Sequence, residues 1–150
     1  MGSRLITQDD LTVAGEQGLN DQWAALRGVL LSTIVSAKAT EALAAGDFVN
    51  IYDNAGVVSV RRAIATAYAT AANGFVRSDV TSGASGLINL AGMNDKIVIA
   101  ATLQDCYLSD ATAGKVISSA PTTAGRIKQN LGLAIAGVGV FFMPRVPVII

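Results

Sequence analysis

Between Ala72 and Pro144 the chain reads as a ladder of short apolar blocks separated by small-residue turns, and that spacing limits the folds open to it. The blocks span residues 72–76, 86–92, 96–100, 106–109, 120–127 and 139–144, and the intervening turns fall at 81–86, 92–95, 111–114 and 121–125. Strand-sized runs about ten residues apart, punctuated by Gly, Ser, Thr, Asn and Asp, predict a mainly β fold: a small antiparallel barrel or sandwich of jelly-roll or tulip-like type. Upstream, Phe48-Val49-Asn50-Ile51-Tyr52, the turn Asp53-Asn54-Ala55-Gly56 and the return Val57-Val58-Ser59-Val60 form the clearest hairpin. The Phe141-Phe142 pair on one strand predicts one ring inward and one outward.

Composition refines this picture. Of the 150 residues, 51% are apolar but only 5% aromatic, so the side chains are small and suit thin packed layers better than deep pockets. One core can be buried at this length without covalent staples. Residues 63–72 are an Ala/Thr tract with helical propensity but no apolar stripe, and read as a connector or strand. Pro144 and Pro147 confine residues 146–150 to an edge or an extended tail.

The first 28 residues have a different texture. They are polar, acidic and turn-rich up to Gly18. Leu19, Trp23, Leu26 and Leu30 then fall at i, i+4, i+7 and i+11, the apolar stripe of a short amphipathic helix, with Asn20 and Asp21 as candidate caps. A helix of this length needs a surface to lie on. Two are open to it, the barrel of its own chain or another subunit. The expected organisation is thus an N-terminal arm with a short helix (1–28), a β-barrel domain (29–145) and an extended C-terminal tail (146–150).

The chemistry that the sequence lacks is informative. It contains no histidine, which removes the commonest general base and transition-metal ligand and excludes Ser–His–Asp and Cys–His machinery. One cysteine, Cys106, makes no intramolecular disulfide and reads as a small buried hydrophobe. No glycine-rich phosphate loop or EF-hand pattern occurs. Asp47, Asp53, Asp79, Asp95, Asp105 and Asp110 sit in or beside expected turns, where Asp serves the backbone, and the Asp53-Asn54 and Asn94-Asp95 pairs have the same explanation. No enzymatic activity, cofactor or metal is expected. Formal charge is zero, 11 against 11, which supplies no general attraction to nucleic acid or anionic lipid. Arg61, Arg62, Arg126 and Lys128 read as solvated faces, with an acidic patch on a partner as the alternative. Mean hydropathy is +0.48, yet residues 28–37 follow an acidic flank unlike a signal peptide, and 131–143 is glycine-broken and short of the ~20 residues of a spanning helix. A soluble protein made in a cytoplasm is expected, with no membrane partner.

The order of the blocks resembles a β-barrel module of tailed-bacteriophage virion proteins, found in capsid decoration proteins and in head and tail fibres. The resemblance rests on the Ala-Gly-Asp hairpin at 45–51, the Ala-Asn-Gly-Phe-Val strand at 72–76, the Tyr-Leu-Ser hairpin at 107–117, the Pro-Thr-Thr-Ala-Gly hairpin at 121–134, and the closing Phe141 to Pro144. It covers roughly two thirds of the chain. It implies a non-enzymatic structural part of a virion, and the short arm resembles a capsid decoration or cementing protein more than a fibre tip. The implied partners are the major capsid protein of a tailed phage and further copies of this chain, with a trimer preferred over a dimer. Trp23, Leu26, Leu30, Val148, Ile149 and Ile150 are the candidate interface residues, because arms and free strand edges make economical contacts in a symmetric array. The implied location is the capsid surface, after synthesis in the host cytoplasm. The alternative is a head or tail fibre module that binds a host-surface receptor or glycan.

Overall fold

The computed structural model describes residues 33–100 and 103–150. The described chain is mainly β, with a closed five-stranded barrel and further sheets. Within the unit 34–150, the barrel comprises β1 (Ile34–Ala39), β2 (Phe48–Asn54), β3 (Val57–Arg62), β4 (Gly74–Val76) and β5 (Ser85–Asn89), in the order β1-β3-β2-β4-β5. The hairpin expected at 48–60 is β2–β3, paired from Val49 with Arg62 to Asn54 with Val57.

Small residues explain how so few strands close. Ala37, Ala39, Val49, Val60, Val76 and Ile88 are buried and cluster with Leu43 and Val80. A barrel of five strands has an interior only wide enough for side chains of this size. One pairing departs from the antiparallel expectation: β1 runs parallel to β3 through Lys38 with Ser59 and Ala39 with Val60. The β2 hairpin lies between them in sequence and supplies the crossover that a parallel pair requires.

The second sheet has the order β6-β11-β10-β7-β8, with every pairing antiparallel. Its strands are β6 (Gly92–Asn94), β7 (Gln104–Leu108), β8 (Val116–Ile117), β10 (Asn130–Ile135) and β11 (Gly139–Phe142). Between β8 and β10, β9 (Ile127–Lys128) pairs instead with β12 (Val148–Ile149) as a separate two-stranded ribbon. Close backbone approach holds β10 to β11. Gly132 has φ +124°, and a Cβ there would stand 2.1 Å from the Phe141 carbonyl oxygen, a space that only glycine leaves open.

The two sheets meet on phenylalanine. Alternation sends Val49 and Val76 into the barrel and their neighbours Phe48 and Phe75 out of it, where both join a second core with Phe142, Leu108, Ile127, Leu131, Val140 and Cys106. Phe48 and Phe142 lie 5.4 Å apart between ring centroids, Phe75 and Phe142 5.9 Å, and Phe48 and Phe75 6.3 Å. These separations and tilts suit aromatic quadrupoles. The expected division of the closing pair is present: Phe142 is fully buried and Phe141 39% exposed.

Three expectations about individual blocks are corrected. Residues 96–100 pair with no strand among the described residues, although their alternation persists: Ile97 and Ile99 pack inward on the second core while Val98 points outward. Residues 92–94, expected as a turn, form β6, where Asn94 is fully buried and donates its amide to the Gly46 carbonyl at 2.9 Å. Block 120–127 is strand only at its last residue, since Thr123 to Arg126 makes a turn closed by the Arg126 N–H on the Thr123 carbonyl. The Ala/Thr tract is a connector with a 3-10 turn at Tyr68–Thr70, and buries Ala63, Ala65, Ala71 and Ala72 in the second core.

Polar side chains complete pairings that the short strands leave open. Gln129, 2% exposed, accepts the Ala72 N–H and donates to the Ala72 carbonyl, both at 2.8 Å. Asn50 donates to the Ala71 carbonyl and accepts from Arg61 Nε. Beyond β1, Glu41 accepts the Arg62 backbone N–H at 2.7 Å and the guanidinium Nη2 at 2.7 Å, extending the parallel β1–β3 pairing by a side chain.

Burial raises the Glu41 pKa, but the side-chain and backbone hydrogen bonds from Arg62 outweigh it and hold the carboxyl below its ordinary 4.5. The stabilisation is therefore complete above pH 4.5 and is lost as pH falls through the lower folded value. We predict that Glu41→Gln lowers stability at neutral pH by about 1 kcal/mol or less, since solvent screens this half-exposed pair. Melting temperatures of the two proteins should converge in acid, and a constant gap across pH would refute the assignment. A second prediction concerns the phenylalanines. Phe142→Ala should cost about 3–5 kcal/mol in urea unfolding, whereas Phe141→Ala should cost less than about 1 kcal/mol.

Candidate interaction surface

Chain chemistry places an apolar edge beside β9. Pro144 and Pro147 lack backbone donors, so the chain between them joins no ladder through those residues. β12 forms only after Pro147, pairing Val148 with Lys128 and Ile149 with Ile127. The Ile150 N–H donates to the Arg126 carbonyl at 3.0 Å, and its own carbonyl accepts from the Gly125 N–H at 2.7 Å. The segment is thus fixed to the turn at 123–126. β9 is its one neighbouring strand, and its outer edge is unpaired among the described residues.

Fixing the backbone does not bury the side chains. Val146 is 78% exposed and Ile149 67%, with Val148 and Ile150 also exposed. Nearby in sequence, Phe141 and Met143 are exposed as well. A shallow groove of about 290 Å3 adjoins the segment, lined by Tyr68, Asn73, Gln129, Pro144, Arg145 and Val146 among others. An open strand edge carrying a run of branched apolar residues is an association surface in physical terms.

Of the candidate interface residues, Val148, Ile149 and Ile150 are brought together on this edge. Trp23, Leu26 and Leu30, with the whole expected arm, lie outside the described residues. The acidic candidates are dispersed and mostly engaged by backbone. Asp47 Oδ2 accepts the Ala44 N–H, Asp53 Oδ1 the Gly56 N–H and Asp79 Oδ1 the Ala45 N–H. Asp95 pairs with Arg77 at 2.8 Å, and the hydrogen bond from Arg77 holds its carboxyl below the ordinary range. Asp105 is the exception to the turn reading, standing exposed on β7. Among the described residues no three His, Cys, Asp or Glu side chains gather as a metal site.

Asp47 is more than a turn residue. Its side chain is 3% exposed and forms a 2.5 Å ion pair with Lys115, tying the start of β2 to the entry of β8. Composition offered no signal for it, because the partners are separated by 68 positions. The basic pairs divide similarly. Arg62 holds Glu41, Arg61 lies 4.3 Å from the Tyr52 ring centroid, and Lys128 lies 5.6 Å from that of Tyr107. Cys106 is buried in β7, and burial, helped by the charge of Asp105, pushes its thiol up to about 11, which keeps it protonated and unreactive at neutral pH. No helix among the described residues is long and apolar enough to cross a membrane.

Comparison with protein-family models, with curated proteins and with solved structures finds no match to this chain.

Replacing Val148 and Ile149 together by lysine should leave the melting temperature within about 3 °C, because both side chains face solvent, while binding of an apolar reporter dye falls. A large drop in melting temperature would mean that these side chains are packed rather than presented.

Proposed function

We propose that the chain is a structural protein of a tailed-phage virion, binding the outside of an assembled capsid and cementing it. The observation that carries this reading is the unpaired β12 edge, which presents Val146, Val148, Ile149 and Ile150 to solvent from a firmly anchored backbone. Such an edge is a liability on an isolated subunit and an asset in an array, where a neighbour's sheet or shell surface covers it. The order of the motif blocks supports the phage assignment, and the small-residue barrel suits a compact part repeated many times.

In this reading the partners are the major capsid protein and other copies of the chain. The homo-oligomer is a trimer in preference to a dimer, with Trp23, Leu26, Leu30 and Val148 to Ile150 contributing. Synthesis takes place in the host cytoplasm and the protein's final location is the capsid surface. The protein acts by adding contacts between shell subunits, not by catalysis.

The test is quantitative mass spectrometry of purified virions, read against the major coat protein. Abundance comparable to the coat protein, with binding to assembled shells and not to free coat subunits, is the expected result. A few copies per particle would replace the cementing role with that of a fibre or tail appendage, and absence from virions would refute the proposal.

A further inference from the structure

The barrel covers one face of the second sheet, with Phe48 and Phe75 clustered on Leu108, Leu131 and Phe142. The other face is apolar too. Alternation with the core positions turns Phe141 on β11, Leu133 and Ile135 on β10, and Asp105 and Tyr107 on β7 away from the barrel. Register sets four outward residues in one row, Met93 opposite Phe141, Phe141 opposite Leu133, and Leu133 opposite Asp105. Ile117 continues the face onto β8 opposite Tyr107, and Met143 continues it past β11, where its N–H donates to the Leu131 carbonyl at 3.0 Å. Phe141 is 39% exposed and Met143 44%, and Met93, Leu133, Ile135 and Tyr107 are part-exposed.

An antiparallel sheet with one face in water alternates apolar with polar residues. Here Asp105 is the only charged residue among the described residues of the five strands. Asn130, opposite Tyr107, turns its side-chain oxygen onto the Gly132 N–H at 2.8 Å. Lys128 lies 5.6 Å from the Tyr107 ring centroid, and the Arg77–Asp95 pair follows the edge strand β6, so further charge is confined to the borders. The face thus offers one carboxylate and little else by which a different protein would be selected through charge. Its best complement is another apolar sheet, and a second copy supplies one.

We propose that this face packs on the same face of a second copy, sheet on sheet, about a twofold axis that runs along the strands between β10 and β11. The position of Asp105 selects that axis. It lays Phe141 on Leu133 of the second copy and Met93 on Asp105 of the second copy, which leaves each carboxylate at the rim. A twofold axis across the strands at this row would instead set the two Asp105 carboxylates against each other. Size sets the strength. At strand and residue spacings of about 4.8 Å and 3.4 Å the face measures roughly 24 Å by roughly 17 Å, about half of the ~800 Å2 that each partner buries in a standard interface. The contact is therefore weak in solution and gains where copies are held side by side. It uses no residue of β9 or β12, and it holds whether or not the chain cements a capsid.

Single introduced cysteines test the axis, because Cys106 is buried and unreactive. Sheets packed about 10 Å apart put Met93 about 10 Å from Asp105 of the other copy, whereas like positions, three strand spacings apart sideways, are separated by about 17 Å. With the full chain, a bis-maleimide spanning about 10 Å should join Met93→Cys to Asp105→Cys in an equimolar mixture at least about fivefold more than it joins either variant to itself. Adding Phe141→Glu to both should cut that yield at least about tenfold, with the melting temperature within about 3 °C. Sedimentation that does not change with concentration up to the millimolar range, or a yield indifferent to Phe141→Glu, would overturn the contact. Like-with-like crosslinks exceeding mixed ones would overturn this packing. Met93→Cys shielded from maleimide by assembled coat shells, but not by raising the chain's own concentration, would give the face to the shell and overturn the second copy.

Discussion

The contact among Phe48, Phe75 and Phe142 is the one on which the remainder of the architecture depends. A five-stranded barrel lined by alanine and valine encloses little apolar volume, and the open second sheet has one face to cover. Neither has much core by itself. The three rings draw on β2, β4 and β11 at once, so the outside of the barrel becomes the floor of the second core. With few aromatic residues in the chain, burying three of them together concentrates much of the available hydrophobic stabilisation at this junction.

Around that junction the strands are short, some only two residues long, and ladders of that length leave many backbone groups without partners. Buried amide side chains stand in for missing strand neighbours. Gln129 mimics a paired residue towards Ala72, Asn94 reaches Gly46, and Asn50 reaches Ala71. Each lies where an apolar residue of similar size would leave a buried peptide group unsatisfied, at a cost of about 1–3 kcal/mol. No described buried side-chain polar atom lacks a partner.

Local patterns made the β class, the 48–60 hairpin, the division of Phe141 from Phe142 and the burial of Cys106 legible from the residues alone, because each depends on alternation or turn chemistry within a few positions. What escaped is non-local. The run 96–100 has strand composition but no paired strand among the described residues, and a pairing partner is a property of topology. The parallel β1–β3 contact and the Asp47–Lys115 ion pair likewise join positions that no periodicity relates. The apolar edge at 146–150 was readable from its branched residues and prolines.

The two sheets are also separate in the order of synthesis. Every barrel strand falls between residues 34 and 89, and every strand of the second sheet between 92 and 142. A ribosome therefore releases a complete barrel ladder while the residues that cover Phe48 and Phe75 are still unmade. At ~5–20 residues per second, those rings remain wet for a time on the order of seconds before β11 delivers Phe142. The nascent chain thus carries the two uncovered rings of Phe48 and Phe75 through the interval of translation that separates β5 from β11.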